Sequence, residues 1–181
     1  MNKIRKFDFL VIGSGIAGLT FALKISQYGK VAVVTKKGDA ESNTNYAQGG
    51  IALAVSENDS YELHIDDTLR AGDGLCHRDA VEIMVKEGPQ YLKELEDIGA
   101  RFTKVGRGRK YHLGKEGGHS VNRIVHAKDL TGREIERALL SAVRKNKNIE
   151  IFSNHITIDL LTEHHIKGER QKKKDKIHCW G

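Results

Sequence analysis

Three groups of residues in this 181-residue chain have the types and spacing to do chemistry. The first is Gly13-Ser14-Gly15-Ile16-Ala17-Gly18. In such a Gly-x-Gly-x-x-Gly run the first glycine permits a tight turn, the second lets a diphosphate approach the backbone, and the third lets a helix pack close on a strand. The second is the small, polar run Glu41 to Gly50, which contains Asn43, Thr44, Asn45, Tyr46, Ala47, Gln48, Gly49 and Gly50. Its backbone donors and amide side chains suit the edge of a flat polar ring. The third is the basic, glycine-rich stretch Gly106 to Ser120, which carries Glu116 ahead of Gly117-Gly118-His119. Ordering so many glycines is costly, so binding is the expected reason for the loop. A carboxylate at Glu116 would hold an ammonium group through a charge-assisted hydrogen bond. Its alternative is an exposed acid in a weak surface pair with Lys115. His119 is read either as a ligand contact or as a loop-stabilising residue.

The first group needs a strand before it and a helix after it. Phe7 to Ile12 is short, apolar and β-branched at Val11 and Ile12, which predicts a strand buried on both faces of a parallel sheet. Ile16, Leu19, Ala22, Leu23 and Ser26 fall at helical spacing, predicting a helix over 16–28 that Gly29 stops. The first N–H groups and the positive dipole end of that helix point at the turn, so a pyrophosphate is the expected occupant. Val31 to Thr35 is the second strand. Nicotinamide-binding domains of this kind place an acid where that strand ends; this chain has Thr35-Lys36-Lys37. That counts against a simple NAD dehydrogenase and places Lys36 near phosphate or ribose oxygen, unless it is an exposed loop charge.

Further along, the spacing predicts a helix over 62–71, capped by Asp59 or Ser60 and ended by Gly72-Asp73-Gly74. Two helices follow, over 79–86 and 89–98, with Gly88 as the break, Pro89 in a first turn and Gly99 as the stop. Val81, Met84, Val85, Leu92, Leu95 and Ile98 are their expected core positions. His64, Asp66, Asp67 and His77 read as helix-surface residues rather than as a metal cluster. Thr131-Gly132-Arg133-Glu134 has the form of a capping box, opening a helix to Lys147 with Ile135, Ala138, Leu139, Ala142 and Val143 inward. Residues 148–153 are the expected third parallel strand, beside the second. Residues 156–161 and 177 onward are expected to form antiparallel strands around the charged turn 168–175. The fold class is therefore α/β, Rossmann-like, with a central parallel sheet. The last residues open an apparent strand with no closing helix, so the chain is expected to stop inside a domain, incomplete at its C-terminus.

Lysine and arginine number 30 against 24 acids, a net charge of +6. The excess concentrates in 101–115 and 167–176, the first run suited to steering anions and the second to a solvated surface. No aromatic-studded or recognised nucleic-acid pattern accompanies it, so no nucleic-acid partner is expected. Cys76 and Cys179 form no Cys-x-x-Cys, no secretory pattern precedes the first strand, and no run approaches the roughly 18 apolar residues of a membrane span. A reducing cytoplasm and no membrane partner are expected. The nine histidines are scattered, so no metal is expected.

These blocks together become specific. Val11-Ile-Gly-Ser-Gly-Ile-Ala-Gly-Leu19, then Thr35-Lys36, then Ser42-Asn-Thr-Asn-Tyr-Ala-Gln-Gly-Gly-Ile-Ala52, resemble the flavoprotein family that contains L-aspartate oxidase, fumarate reductase and the succinate dehydrogenase flavoprotein subunit. Tyr111-His-Leu-Gly-Lys-Glu-Gly-Gly-His-Ser120, followed by Arg123-Ile-Val-His126 and Thr131-Gly132, is more similar to the L-aspartate oxidase branch. Succinate-oxidising members tend to have an apolar residue where Glu116 stands.

The resemblance implies an FAD-binding domain, here its N-terminal part without the substrate-capping and C-terminal helical domains. It puts Ser14 to Ala17 under the pyrophosphate, Lys36 near the adenosine side, and Asn43 to Gly50 along the ribityl chain and the isoalloxazine. Membrane-bound members carry a flavin-linking histidine in that loop; this chain has none there, so the FAD is expected to be non-covalent. The implied reaction is oxidation of L-aspartate to iminoaspartate with dioxygen or fumarate as acceptor, feeding quinolinate and NAD formation and giving a functional link to quinolinate synthase. Glu116 is the substrate-orienting residue. The family's proton-removing and carboxylate-clamping residues are expected beyond this stretch, so the chain alone is expected to be inactive. The competing readings are a soluble fumarate reductase or succinate dehydrogenase flavoprotein, and a nucleotide-binding module without turnover.

Overall fold

The computed structural model describes residues 4–106, 110–128 and 130–162. In chain order the elements are β1 (Phe9–Ile12), α1 (Ile16–Ile25), β2 (Val31–Thr35), α2 (Asn43–Tyr46), β3 (Ile51–Ala52), α3 (Tyr61–Ala71), α4 (Arg78–Asp97), β4 (Leu113–Gly114), β5 (Ile124–Val125), α5 (Thr131–Lys145) and β6 (Ile149–Ser153). They fall into two compact units, Met1–Glu41 with Val143–Gly181, and Ser42–Ala142.

The first unit is a parallel sheet in the order β1-β2-β6, with Val11 opposite Val33 and Val33 opposite Ile151. The expected third strand is thus in place beside the second. Val11, Val31 and Val33 pack with Ala22 of α1, and Phe9, Ile25, Ile149 and Ile151 surround them. Alternation along a strand gives the other face of β1 to Leu10 and Ile12, which are 50% and 54% exposed. The expected burial of β1 on both faces is therefore corrected: among the described residues α1 covers only the face bearing Phe9 and Val11.

The first helix stops at Ile25, ahead of the expected Tyr28. Ser26 Oγ donates to the Leu23 carbonyl at 2.8 Å, and Asn146 and Asn148 donate side-chain N–H groups to Ser26 Oγ and Ser26 O, both at 2.9 Å. These bonds satisfy polar groups at the helix end without glycine. Gly29 serves another purpose, since a Cβ there would lie 2.5 Å from Asp8 Oδ2, the atom that accepts the Lys30 N–H at 2.7 Å.

In the second unit β3, β5 and β4 form a small antiparallel sheet, and α3 packs on α4 through Ile65, Val81 and Val85. Ser60, not Asp59, caps α3, accepting the Leu63 N–H at 3.1 Å. The two helices expected around Gly88 are one, Arg78–Asp97, with Pro89 inside it. The missing N–H weakens one turn, but Val81, Val85 and Leu92 keep one face buried through it. Gly88 is needed for contact, since a Cβ there would lie 2.5 Å from Leu53 Cδ2. Met84, an expected core residue, is exposed.

Glu134 does not complete a capping box. Its Oε1 accepts the Arg101 backbone N–H at 2.8 Å, and Arg137 also bonds it. Asn43–Tyr46, within the small polar run, forms a single turn of helix capped by Ser42. Residues 156–161 form no strand, and the strand expected from 177 lies outside the described residues.

Gly18 gives the sharpest steric test of the first unit, because a Cβ there would collide with the Gly13 carbonyl. Helix propensity alone makes Gly→Ala in α1 stabilising by about 0.5–1 kcal/mol. The collision reverses that sign, and Gly18→Ala is expected to destabilise the protein by about 1–3 kcal/mol in urea unfolding. Gly117→Ala, with nothing within 4 Å, should stay within about 0.5 kcal/mol.

Candidate functional site

At the turn between β1 and α1, Gly13 has φ +102°, a conformation open mainly to glycine. Gly15 is the N-cap of α1 and supplies no side-chain cap, and the first helical turn contains no acid. A helix start of this kind leaves N–H groups without intrahelical acceptors and with a positive end dipole. The turn thus fits a diphosphate on geometry of its own, with Ser14, Ile16 and Ala17 beside the three glycines. Ser14 and Thr35 are buried, and Ser14 Oγ donates to Thr35 Oγ1 at 3.1 Å. This explains Thr35 where an acid was the usual choice: its hydroxyl ties the end of β2 to the glycine turn. Lys36, just past β2, is exposed.

The segment from Asn43 to Gly50 belongs to the second unit, and its own glycines show how it is held. A Cβ on Gly50 would strike Ile124 and lie 2.5 Å from the Val125 carbonyl. A Cβ on Gly132 would strike the Thr44 carbonyl and lie 2.8 Å from the Ala47 carbonyl, which accepts the Gly132 N–H at 3.0 Å. The segment is thereby gripped at one place by the start of α5 and at another by β5. Tyr46, Ala47, Gln48, Gly49 and Gly50 are exposed, with the Ala47 N–H and carbonyl already bonded to Thr44 and Gly132.

Glu116 is exposed and lies against this segment: a Cβ on Gly49 would be 3.4 Å from Glu116 Oε1. The Lys115 pairing does not form; Lys115 Nζ donates to the Ser120 carbonyl at 3.1 Å. The His119 N–H donates to the Glu116 carbonyl at 3.2 Å, closing the turn.

Behind the turn lies a group that sequence reasoning misplaced. His64 and Asp67, expected on the helix surface, are buried. Arg123 is fully buried, and its Nη2 is 3.0 Å from Asp59 Oδ1 and 3.0 Å from Asp67 Oδ2. Asp67 in turn accepts the Ser120 Oγ–H at 2.6 Å and the Ser120 backbone N–H at 2.7 Å. Burial pushes the Asp67 carboxyl up, but the Ser120 hydroxyl and amide and the Arg123 guanidinium outweigh it and hold it below its ordinary value. The His64 and His119 rings meet edge to face at 6.3 Å. The available signal was the i,i+3 spacing of His64 and Asp67 on one helix face, together with an arginine leading into the β-branched pair Ile124-Val125.

The comparisons with known proteins agree on one family. The model of the FAD binding domain matches residues 8–176. The chloroplastic L-aspartate oxidase of Oryza sativa is 51% identical over 97% of this chain, and the L-aspartate oxidase of Vibrio cholerae is 43% identical over 95%. The chain spans 26% and 33% of those two curated relatives' lengths. Among solved structures, an E. coli quinol fumarate reductase is similar over 86% of this chain and 27% of its own, at 30% identity and TM-score 0.81. The Mycobacterium smegmatis Sdh1 complex in the apo form is similar over 87% and 29%, at 34% identity and TM-score 0.77.

His64 sets the pH dependence of this buried group. Desolvation first, then the Arg123 and His119 charges, push its pKa below the ordinary 6.5, against the opposing pull of Asp59 and Asp67. Folding therefore favours neutral His64, and its stabilising contribution is complete above pH 6.5, falling as pH drops from there toward the folded-state value. Asp67, also depressed, begins to lose its contribution only near its unfolded value of 3.8. Thermal unfolding followed from pH 7 to 5 should show a decline in Tm that His64→Gln flattens; an equal slope in both proteins would contradict this assignment.

Proposed function

The chain belongs to the FAD-binding domain family, and from that premise we propose that it serves the oxidation of L-aspartate to iminoaspartate. FAD, when bound, supplies the hydride acceptor for the substrate α-carbon and passes the electrons to dioxygen or fumarate. Everything else falls to the protein's own groups. The backbone at Gly13, Ser14, Gly15, Ile16, Ala17 and Gly18 binds the diphosphate, and Lys36 meets the adenosine side. Asn43, Thr44, Asn45, Tyr46, Ala47, Gln48, Gly49 and Gly50 run along the ribityl chain and ring. With no histidine from Asn43 to Gly50, the flavin is held non-covalently.

The observation that carries the substrate is the Glu116 carboxylate lying against Gly49. L-aspartate differs from succinate by one ammonium, and a carboxylate beside the ring-binding segment holds that cation by a charge-assisted hydrogen bond. Succinate would leave the same carboxylate unpaired at the site, at a desolvation cost. Glu116 thus discriminates between two dicarboxylates of nearly equal shape. The product is the precursor that quinolinate synthase consumes on the way to NAD. A reducing cytoplasm suits the free Cys76 thiol; the plant relatives are named as chloroplastic proteins.

The test is anaerobic flavin bleaching at 450 nm in the full-length, FAD-loaded protein. L-aspartate should bleach the flavin and succinate should not, and acid precipitation should release the flavin into solution. Glu116→Gln should keep the flavin and lose about 10- to 100-fold in aspartate preference, a charged hydrogen bond being worth about 1.5–3 kcal/mol. Bleaching by succinate but not aspartate would favour a fumarate reductase or succinate dehydrogenase type. Flavin retention without bleaching by either would favour a nucleotide-binding module.

A further inference from the structure

We propose that Asp67, held by Arg123, is the positioning residue that fixes the Lys115–Ser120 turn and thereby the orientation of Glu116. This rests on the reading of Glu116 as the ammonium-binding group.

A turn containing Gly117 and Gly118 has little intrinsic reason to hold one shape. Gly118 sits at φ +85°, and Gly117 has nothing within 4 Å of its Cβ position. Fixing each backbone residue costs on the order of 1–2 kcal/mol, so a carboxylate that must stay in one place here needs an anchor outside the turn. Ser120 supplies the attachment. Its hydroxyl and its backbone N–H both donate to Asp67, one to each carboxylate oxygen. That two-point grip fixes the direction of the peptide as well as its distance. On the other side Ser120 O accepts from Lys115 Nζ, while Glu116 O accepts from His119 N. Residues 115–120 are thus closed upon themselves and hydrogen-bonded to α3 through Ser120, with the His119 ring meeting His64 beside it.

The anchor cannot drift. Asp67 lies on α3, an 11-residue helix, and Arg123 Nη2 pairs with both it and Asp59, the residue ahead of the α3 N-cap. Arg123 is fixed through its own backbone, donating N–H to Gly114 O at 3.0 Å and accepting at its carbonyl from Leu53 N at 2.9 Å. The guanidinium is therefore tied to the small sheet and the carboxylates to α3. A buried ion set is a poor choice for stability alone, because apolar residues of similar volume often do as well or better. As a positioning device it is well suited: sub-ångström placement of a site group is obtained by locking its support.

The experiment uses the full-length, FAD-loaded protein and three variants. Ser120→Ala removes one of the two bonds at an exposed residue, Asp67→Asn weakens both, and Ser120→Thr keeps the hydroxyl. The apparent affinity for L-aspartate is read from the concentration dependence of anaerobic flavin bleaching and that for succinate from flavin spectral shifts, and hydrogen exchange is measured over residues 115–122. Ser120→Ala and Asp67→Asn should weaken L-aspartate about tenfold, leave succinate within about twofold, and speed exchange in that segment, with Ser120→Thr behaving as the parent. Equal losses for both ligands, or unchanged exchange and unchanged affinities, overturn the proposal. Glu116→Gln is the separate control. If it leaves the aspartate preference intact, the substrate reading falls, and faster exchange in Ser120→Ala still supports the anchor while unchanged exchange removes it.

Discussion

Close approach of backbone to backbone is the constraint on which both units depend. At Gly18 a helix meets the carbonyl of the preceding turn, at Gly50 the exposed segment meets β5, and at Gly132 the start of α5 meets α2. A methyl group at any of the three would occupy space already filled by a peptide. Each approach does more than save room. The first sets α1 with its N-terminus at the turn, and the other two hold Asn43–Gly50 against α5 and β5. Glycines that look alike in the sequence thus share one physical purpose here, admitting a backbone contact that a side chain would block.

The second unit adds a different solution to a related problem. Where the first unit is held by Val11, Val31, Val33 and Ala22, the second carries fully buried Arg123 beside Asp59 and Asp67. Charges out of water require close partners and satisfied hydrogen bonds. Ser120 and Ser60 provide some of these, the Ser60 N–H donating to Asp59 Oδ1 at 2.9 Å. The result is a directional support under a flexible glycine pair, which apolar packing would not provide.

The sequence made the glycine turn, β2, β6 and α3 legible because each depends on a local pattern: glycine spacing, β-branched runs, or a serine before a helical repeat. It made the family legible too, through Ser42–Ala52 and Tyr111–Thr131 together. It misled where long-range contact overrode local preference. Gly88-Pro89 reads as a break, yet Leu53 and a continuous buried face keep α4 whole. Thr131 and Glu134 read as a capping box, yet Glu134 bonds Arg101. His64 and Asp67 read as surface because polar residues on a helix usually are, and the arginine that draws Asp67 inward lies far along the chain. Ser14 with Thr35 leaves no pattern at all, since two hydroxyls that pair across a turn resemble any others.

The central claim is that the peptide groups of residues 13–18 and 43–50 receive FAD. Hydrogen exchange of the full-length protein with and without bound FAD tests it most directly. The account predicts that FAD slows exchange in these two segments more than anywhere else in residues 1–181, and that ADP alone slows only the first. Flavin-dependent protection confined to other segments, with 13–18 exchanging equally in both states, would contradict it.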